Sequence, residues 1–453
     1  MRLTTKKFSN AFIRKLIVTL ICSHFSIHSA HANETFDALT KDFRFSGFGT
    51  LGLTYNDNGG AGAIYNYSQT VPAEQGFSLN LDSVLGLQLE WKPLEKTSFL
   101  VQSVARAGQR MEPLLRMAYI RQELGSEVSV RGGRFRNPML FDSDVNEVGY
   151  AYMMSRPPIA LYSIANNFPS IDGVDLQWRH SFLSTAFMLQ GYYGNTSYQH
   201  RFYNLNPVVS ADAQINNMMG VALSASRSNI TIRASRTWVD SYTMRSSAIS
   251  QLDSGLGSLS GGLLAMTAYP QLAAMSPALI SQANQISGLK NPFDNRPIYT
   301  SVGFDAYWGS FRFLGEWVQL NSQNAMVGKY EGFQTTIGYT YKDFTPYVSF
   351  ANLSRDKGSI NTSSLNGTGL NPMLDAGLAQ MQAAINQSAQ FANLSSQSIS
   401  AGTRWDVMEN LDMKLQYDFV QTPNSMTPGN FAVSTLPFNN HVSLVTLALD
   451  FIF

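Results

Sequence analysis

Between positions 101 and 136 the chain carries seven arginines, Arg106, Arg110, Arg116, Arg121, Arg131, Arg134 and Arg136, and no lysine. Arginine stays charged and presents a planar fork that fits carboxylate or phosphate. A row of arginines along an aqueous passage would therefore orient dipolar solutes and bias the choice among ions. Hydrolytic chemistry has much less support. Beyond position 32 the histidines are His180, His200 and His441. No serine sits in a nucleophile elbow and no histidine pair has metal-ligand spacing, so neither an enzyme, a metal nor a cofactor is expected. The glycine pairs Gly59-Gly60, Gly132-Gly133 and Gly261-Gly262 read as turns or bulges, because none joins a parallel strand to a helix.

Positioning such arginines requires elements, and composition narrows the choice. The chain has 453 residues, 44% hydrophobic and 14% charged, with a single cysteine. Length alone suggests two or three soluble domains. Residues 1–32 read instead as a cleaved signal peptide: Arg2, Lys6, Lys7, Arg14 and Lys15 precede an apolar stretch, and Ala30-His31-Ala32 supplies the small residues that signal peptidase reads. The predicted mature chain, 33–453, has 27 basic and 31 acidic groups, a net charge of −4, and it loses Cys22 with the leader. It then has neither disulfides nor a thiolate site. No nucleic-acid partner is expected.

The organising signal is alternation with period 2, which sends successive side chains to opposite faces of a strand. From Leu79 to Trp91 the odd positions are Leu79, Leu81, Ser83, Leu85, Leu87, Leu89 and Trp91, against Asn80, Asp82, Gln88 and Glu90. Near the C-terminus Val445, Leu447, Leu449, Phe451 and Phe453 share one face. Sixteen segments follow this rule, with connections alternating between short and long; the long ones include 136–170, 195–216, 239–296 and 352–396. An even strand count, this rhythm and a polar second face on every strand favour an all-β transmembrane antiparallel barrel over a soluble sandwich.

The order of several short segments resembles the Gram-negative outer-membrane porins over essentially the whole mature chain. They are Ser46-Gly47-Phe48-Gly49-Thr50-Leu51, Leu79 to Gln88, Arg131-Gly132-Gly133-Arg134-Phe135-Arg136-Asn137-Pro138, Val148 to Tyr152 with Arg156-Pro157-Pro158, and Leu449 to Phe453. The resemblance implies a sixteen-stranded barrel in the outer membrane, surrounded by lipid and assembled as a homotrimer. It also implies that Phe453 is read by the barrel-assembly machinery. The third long loop, 136–170, would fold into the lumen, with Asp142, Asp144 and Glu147 as the acidic side of a constriction.

Strand phase then selects the wall opposite those acids. With Phe99, Val101, Ser103 and Ala105 outward, Arg106 points in; with Leu115, Met117 and Tyr119 outward, so does Arg116. Arg131 is inward if Val128 and Val130 are outward. Arg134 and Arg136 reach the same side only if a bulge at Gly132-Gly133 resets the parity. Arg106, Arg116, Arg131, Arg134 and Arg136 are the expected basic wall. The inserts 239–296 and 352–396 are expected to carry short helices broken at Pro270 and Pro277, forming an external cap or folding over the mouth. The function expected is a water-filled channel for passive diffusion of small hydrophilic solutes and ions. The alternatives are a porin selective for anions or small organic nutrients, and a barrel used as a surface anchor or adhesin.

Overall fold

The structure, a computed structural model, describes residues 42–109, 114–205, 207–322, 326–356 and 360–453. The expected leader 1–32 and Arg110 lie outside the described residues. Sixteen long strands are found among the rest: β1 Phe43–Asn56, β2 Val84–Leu94, β3 Thr97–Arg106, β4 Leu115–Glu123, β5 Val128–Arg136, β6 Ser170–Phe182, β7 Thr185–Phe202 and β8 Val209–Arg227. The second half comprises β9 Ile230–Arg245, β10 Ile298–Trp308, β11 Phe311–Asn321, β12 Lys329–Tyr339, β13 Phe344–Arg355, β14 Ser396–Met408, β15 Leu411–Gln421 and β16 His441–Ile452. Each is antiparallel to its two neighbours, and β1 pairs with β16 through Thr50↔Asp450 and Thr54↔Thr446, closing the sheet. The terminal residue completes the seam: Gly47 and Phe453 exchange backbone hydrogen bonds of 2.8 and 3.0 Å. A closed barrel leaves no backbone edge unpaired, which is what a hydrocarbon environment demands.

Alternation works as expected on the outside. Leu51, Leu85, Leu87, Leu89, Val221 and Leu415 are exposed, while Thr50, Thr54, Gln102 and Gln416 on the opposite face are buried. Aromatic residues collect at the short-turn rim, where Phe43 stacks on Trp91 at 5.6 Å and Phe344 on Trp405 at 5.7 Å. An apolar belt bordered by aromatic rings is the signature of a barrel that spans a bilayer.

Two expectations are corrected. The segment 195–216 is not a long loop: β7 and β8 run to 18 and 19 residues and leave only 203–208 between them. Above the belt the outward positions of β7 turn polar (Asn195, Ser197, Gln199) while Tyr192 and Tyr198 face inward, so an apolar-out rule loses the strand there. His200 consequently belongs to β7. The inward face is also not polar throughout. On the long-loop side it carries Phe135, Ile171, Ile215, Met218, Tyr299 and Leu320, all buried in one cluster.

The two inserts fold together. Helices α2 Ser247–Met266 and α3 Ser276–Ser287 come from the first insert and α4 Pro372–Phe391 from the second; the short α1 Ile159–Ala165 lies in the third long loop. Pro270 and Pro277 stand at helix starts, where a missing N–H costs nothing. Leu256, Leu263, Leu279, Ile286, Leu378 and Ile385 pack into a common core, so the inserts form one cap. No single helix among the described residues is long and apolar enough to cross a membrane.

Candidate functional site: the inward loop and its wall

The third long loop, 137–169, crosses the lumen and is tied to the barrel on several sides. On the β3–β5 side Glu147 accepts Arg116 Nε at 3.0 Å and pairs with Arg136 Nη1 at 2.5 Å. Arg136 also donates to Gln102 Oε1 at 2.8 Å. Arg106 completes this corner by stacking over the Tyr65 ring, 3.6 Å from its centroid, and reaching the Leu81 carbonyl at 3.4 Å. Burial alone would raise the Glu147 carboxyl, but Arg136, Arg116 and Arg106 outweigh it and hold the group down at about 2.

Across the lumen the loop meets β9 and β11. Arg233 pairs with Asp144 at 2.8 Å and donates to the Pro138 carbonyl at 3.2 Å. Glu316 accepts the Phe141 amide at 2.8 Å and the Tyr162 hydroxyl at 2.7 Å. Among the described residues Asp142 has no ion pair; its backbone N–H donates to Tyr162 Oη at 3.3 Å. Burial in the loop and the neighbouring Glu316 carboxylate push the Asp142 carboxyl up to about 7.

A third set of ties joins the loop to β14–β16 and the segment before β2. Arg156 forks onto Asp82 and Asp418, each at 2.6 Å, and bonds Thr446 at 3.1 Å. Lys414 pairs with Asp450 at 2.8 Å and donates to the Gly149 carbonyl at 2.6 Å. Arg404 donates to the Tyr150 and Tyr152 carbonyls at 2.6 and 2.8 Å. A side chain at Gly149 would collide with Asp450 and Thr50, so the loop backbone lies directly on the wall there.

The expected basic wall is thus divided. Arg116 and Arg136 pair with the loop acid Glu147, and Arg106 acts on it through its charge. Arg131 is inward but is neutralised within the wall, donating from Nε to Asp175 Oδ1 at 2.9 Å. Arg134 is a correction: it pairs at 2.7 Å with Asp172, whose side chain is 53% exposed on the outward face. The expected bulge at Gly132-Gly133 is absent, since β5 keeps an unbroken register with both β4 and β6, and parity therefore turns Arg134 outward, while Arg136, the last residue of the strand, reaches Gln102 and Glu147 without a bulge. Gly133 instead has φ +127°, and a Cβ would strike the Ala118 carbonyl. The bulge occurs one strand earlier. The β3–β4 register jumps from Gln102↔Met117 to Ser103↔Leu115, which leaves Arg116 as the extra residue and turns it inward while Met117 and Tyr119 also face the lumen.

Period-2 phase also puts Asp82, Arg233, Glu316, Lys414 and Asp418 on the inward face, and only the fold shows that they hold the loop. Arg156 and Asp450 were missed as anchors. Asp450 was readable, since it has the parity opposite to Leu449 and Phe451; for Arg156 the signal was a cation set before two prolines in the loop.

A closed sixteen-stranded barrel with a lipid-facing belt and a third loop tied inside its lumen has the fold of the outer-membrane porins. The comparisons agree on that fold. The structure is similar to OmpF of Salmonella typhi in complex with daunomycin (12% identity, 91% of this chain and 97% of that one, TM-score 0.50). It is similar as well to OprB of Pseudomonas putida at high pH (9% identity, 92% and 96% covered, TM-score 0.50). The outer membrane channel DcaP of Acinetobacter baumannii aligns with 10% identity, 91% and 97% covered and a TM-score of 0.49. No family model matches the chain. No curated protein matches it either.

Proposed function

We propose that the protein is an outer-membrane channel through which small solutes move passively, and that it selects among them rather than sieving by size alone. The carrying observation is the loop 137–169, held on opposite walls by Glu147 with Arg116 and Arg136, by Asp144 with Arg233, and by Arg156 with Asp82 and Asp418. A loop fixed on several sides leaves a narrow, rigid passage, and fixed charges at such a passage tune which ions and dipoles cross. The short-turn side of the lumen adds Arg44, Glu90, Arg121, Arg179, Asp305 and Arg312, a charged vestibule on the way out. A homotrimer embedded in lipid, with the C-terminal Phe453 of each barrel read by the barrel-assembly machinery, belongs to the same reading; its mass in detergent tests the trimer.

The decisive experiment is a planar-bilayer recording of the purified protein. Small, well-resolved conductance steps are expected. Their absence from a protein that remains a folded barrel would defeat the channel reading and leave a surface anchor, with the helical cap as its working part.

A further inference from the structure

A cavity of about 330 Å³ lies between the loop and the cap. Met139 and Phe168 of the loop form its floor, Ile215, Met218, Tyr299 and Leu320 of the barrel its walls, and Ile249, Leu252 and Phe391 of α2 and α4 its roof. No acid lines it. Arg201, at its edge, has outward parity and reaches Ser210 on the neighbouring strand at 3.4 Å. An apolar chamber of this size with a few convergent polar groups is the usual form of a small-molecule site.

Four side-chain atoms on its lining residues are buried and make no hydrogen bond: Tyr299 Oη, His200 Nδ1, Asn295 Oδ1 and, at the edge, Arg201 Nε. Tyr299 is 5% exposed and projects inward from β10. The other hydroxyls around the chamber are satisfied, Tyr198 by Tyr242 at 2.9 Å, Tyr67 by the Gly429 carbonyl at 3.1 Å and Tyr330 by the Ala392 carbonyl at 2.9 Å. Buried polar groups in native folds are normally paired. Unpaired ones on residues that line a single apolar space define a complementary solute.

We propose that this chamber, enclosed by floor loop, barrel wall and helical cap, binds an uncharged aromatic or alicyclic solute bearing one or two hydrogen-bonding groups. The solute's ring fills the space between Phe168, Met218, Tyr299 and Leu252, and its polar group pairs with Tyr299, His200 or Asn295. A charged solute is disfavoured, because no acid among the described residues lines the chamber and its one arginine, Arg201, has outward parity, which leaves the loss of hydration poorly compensated. The proposal deepens the channel reading by assigning the class of solute that waits above the constriction.

The test is calorimetric titration of the full barrel in detergent with indole, a neutral ring carrying one N–H, against a detergent-only blank. One saturable site per chain is expected. Leu252→Asp, on the cap and therefore outside the barrel's folding, is expected to weaken binding more than about tenfold by placing a carboxylate in the apolar roof. Tyr299→Phe, which keeps the ring, is expected to weaken it about 2- to 10-fold. A loss in either variant supports the site. No saturation above the blank, or an affinity unchanged in both variants, overturns it. Bilayer recordings separate the two claims: conductance steps without indole binding refute the chamber alone, and indole binding without steps refutes the channel alone.

Discussion

Replacing Arg156 by glutamine removes the cation that ties the inward loop to two walls at once. The three groups involved, Arg156, Asp82 and Asp418, have side-chain exposures of 6%, 3% and 9%. Asp82 keeps its bond from Thr54 at 2.8 Å, and Asp418 keeps those from Ser400 and Gln416 at 2.6 and 2.7 Å. Neither supplies a compensating charge. Deleting one partner of a buried ion pair costs about 3–5 kcal/mol, because the charge left behind is uncompensated. The barrel ladder does not use Arg156, so this cost falls on docking of the loop. It corresponds to roughly two to three and a half orders of magnitude in the ratio of docked to undocked loop. Single-channel conductance of Arg156→Gln should rise above that of the parent, and protease should cut within 137–169 faster, while heat resistance of the barrel is kept. Combining Arg156→Met with Asp82→Asn and Asp418→Asn removes the stranded charges and should restore much of the parental conductance. Parental conductance and parental protease resistance in Arg156→Gln would refute the claim that this ion pair holds the loop.

Three further outcomes follow from the same geometry. The raised Asp142 carboxyl, facing Glu316, Arg312, Asp305 and Arg233, binds its proton in the folded state up to a pH of about 7, whereas an exposed aspartate releases it near about 4. Docking stability at this site therefore declines as pH rises through that window, and the lumen gains a negative charge above it; the potassium-to-chloride permeability ratio should climb with a midpoint near 7 and lose that step in Asp142→Asn. Arg131→Ala leaves Asp175 uncompensated in the lumen and should shift reversal potentials toward cation selectivity, while Arg134→Ala, on the outward face, should leave them unchanged; equal shifts in both would contradict the parity assigned to β5. Deleting 250–286 removes most of the roof, so conductance and flux of neutral solutes should increase, and unchanged values would show that the cap does not restrict the mouth.

Much of this architecture is legible in the amino-acid sequence. Strand phase is local: each residue of Leu85 to Trp91 or Val445 to Phe451 declares its face by whether lipid or water suits it, and a misplaced charge at mid-bilayer costs about 2–4 kcal/mol. That rule was enough for sixteen strands, for the apolar belt and for the inward placement of Asp82, Glu316, Lys414 and Asp418. It failed where the environment departed from lipid outside and water inside. Above the belt, Asn195, Ser197 and Gln199 face out and Ile215 and Met218 face in, so the upper halves of β7 and β8 lacked the expected pattern.

What the tertiary structure alone decided concerns pairs far apart in the chain. Two neighbouring glycines made a bulge at Gly132-Gly133 plausible, yet register is a property of two strands, and the ladder placed the bulge at Arg116 and turned Arg134 outward. Arg156 meets Asp82 and Asp418 across 74 and 262 positions, separations at which composition carries no trace of contact. The chamber beneath the cap exists only because two inserts, a loop and six strands bring apolar residues to one place. The sequence by itself determined which face each strand residue occupies, since solvation acts on residues one at a time; closure, register and the fit of the loop to its wall act on pairs, and only the folded barrel could decide them.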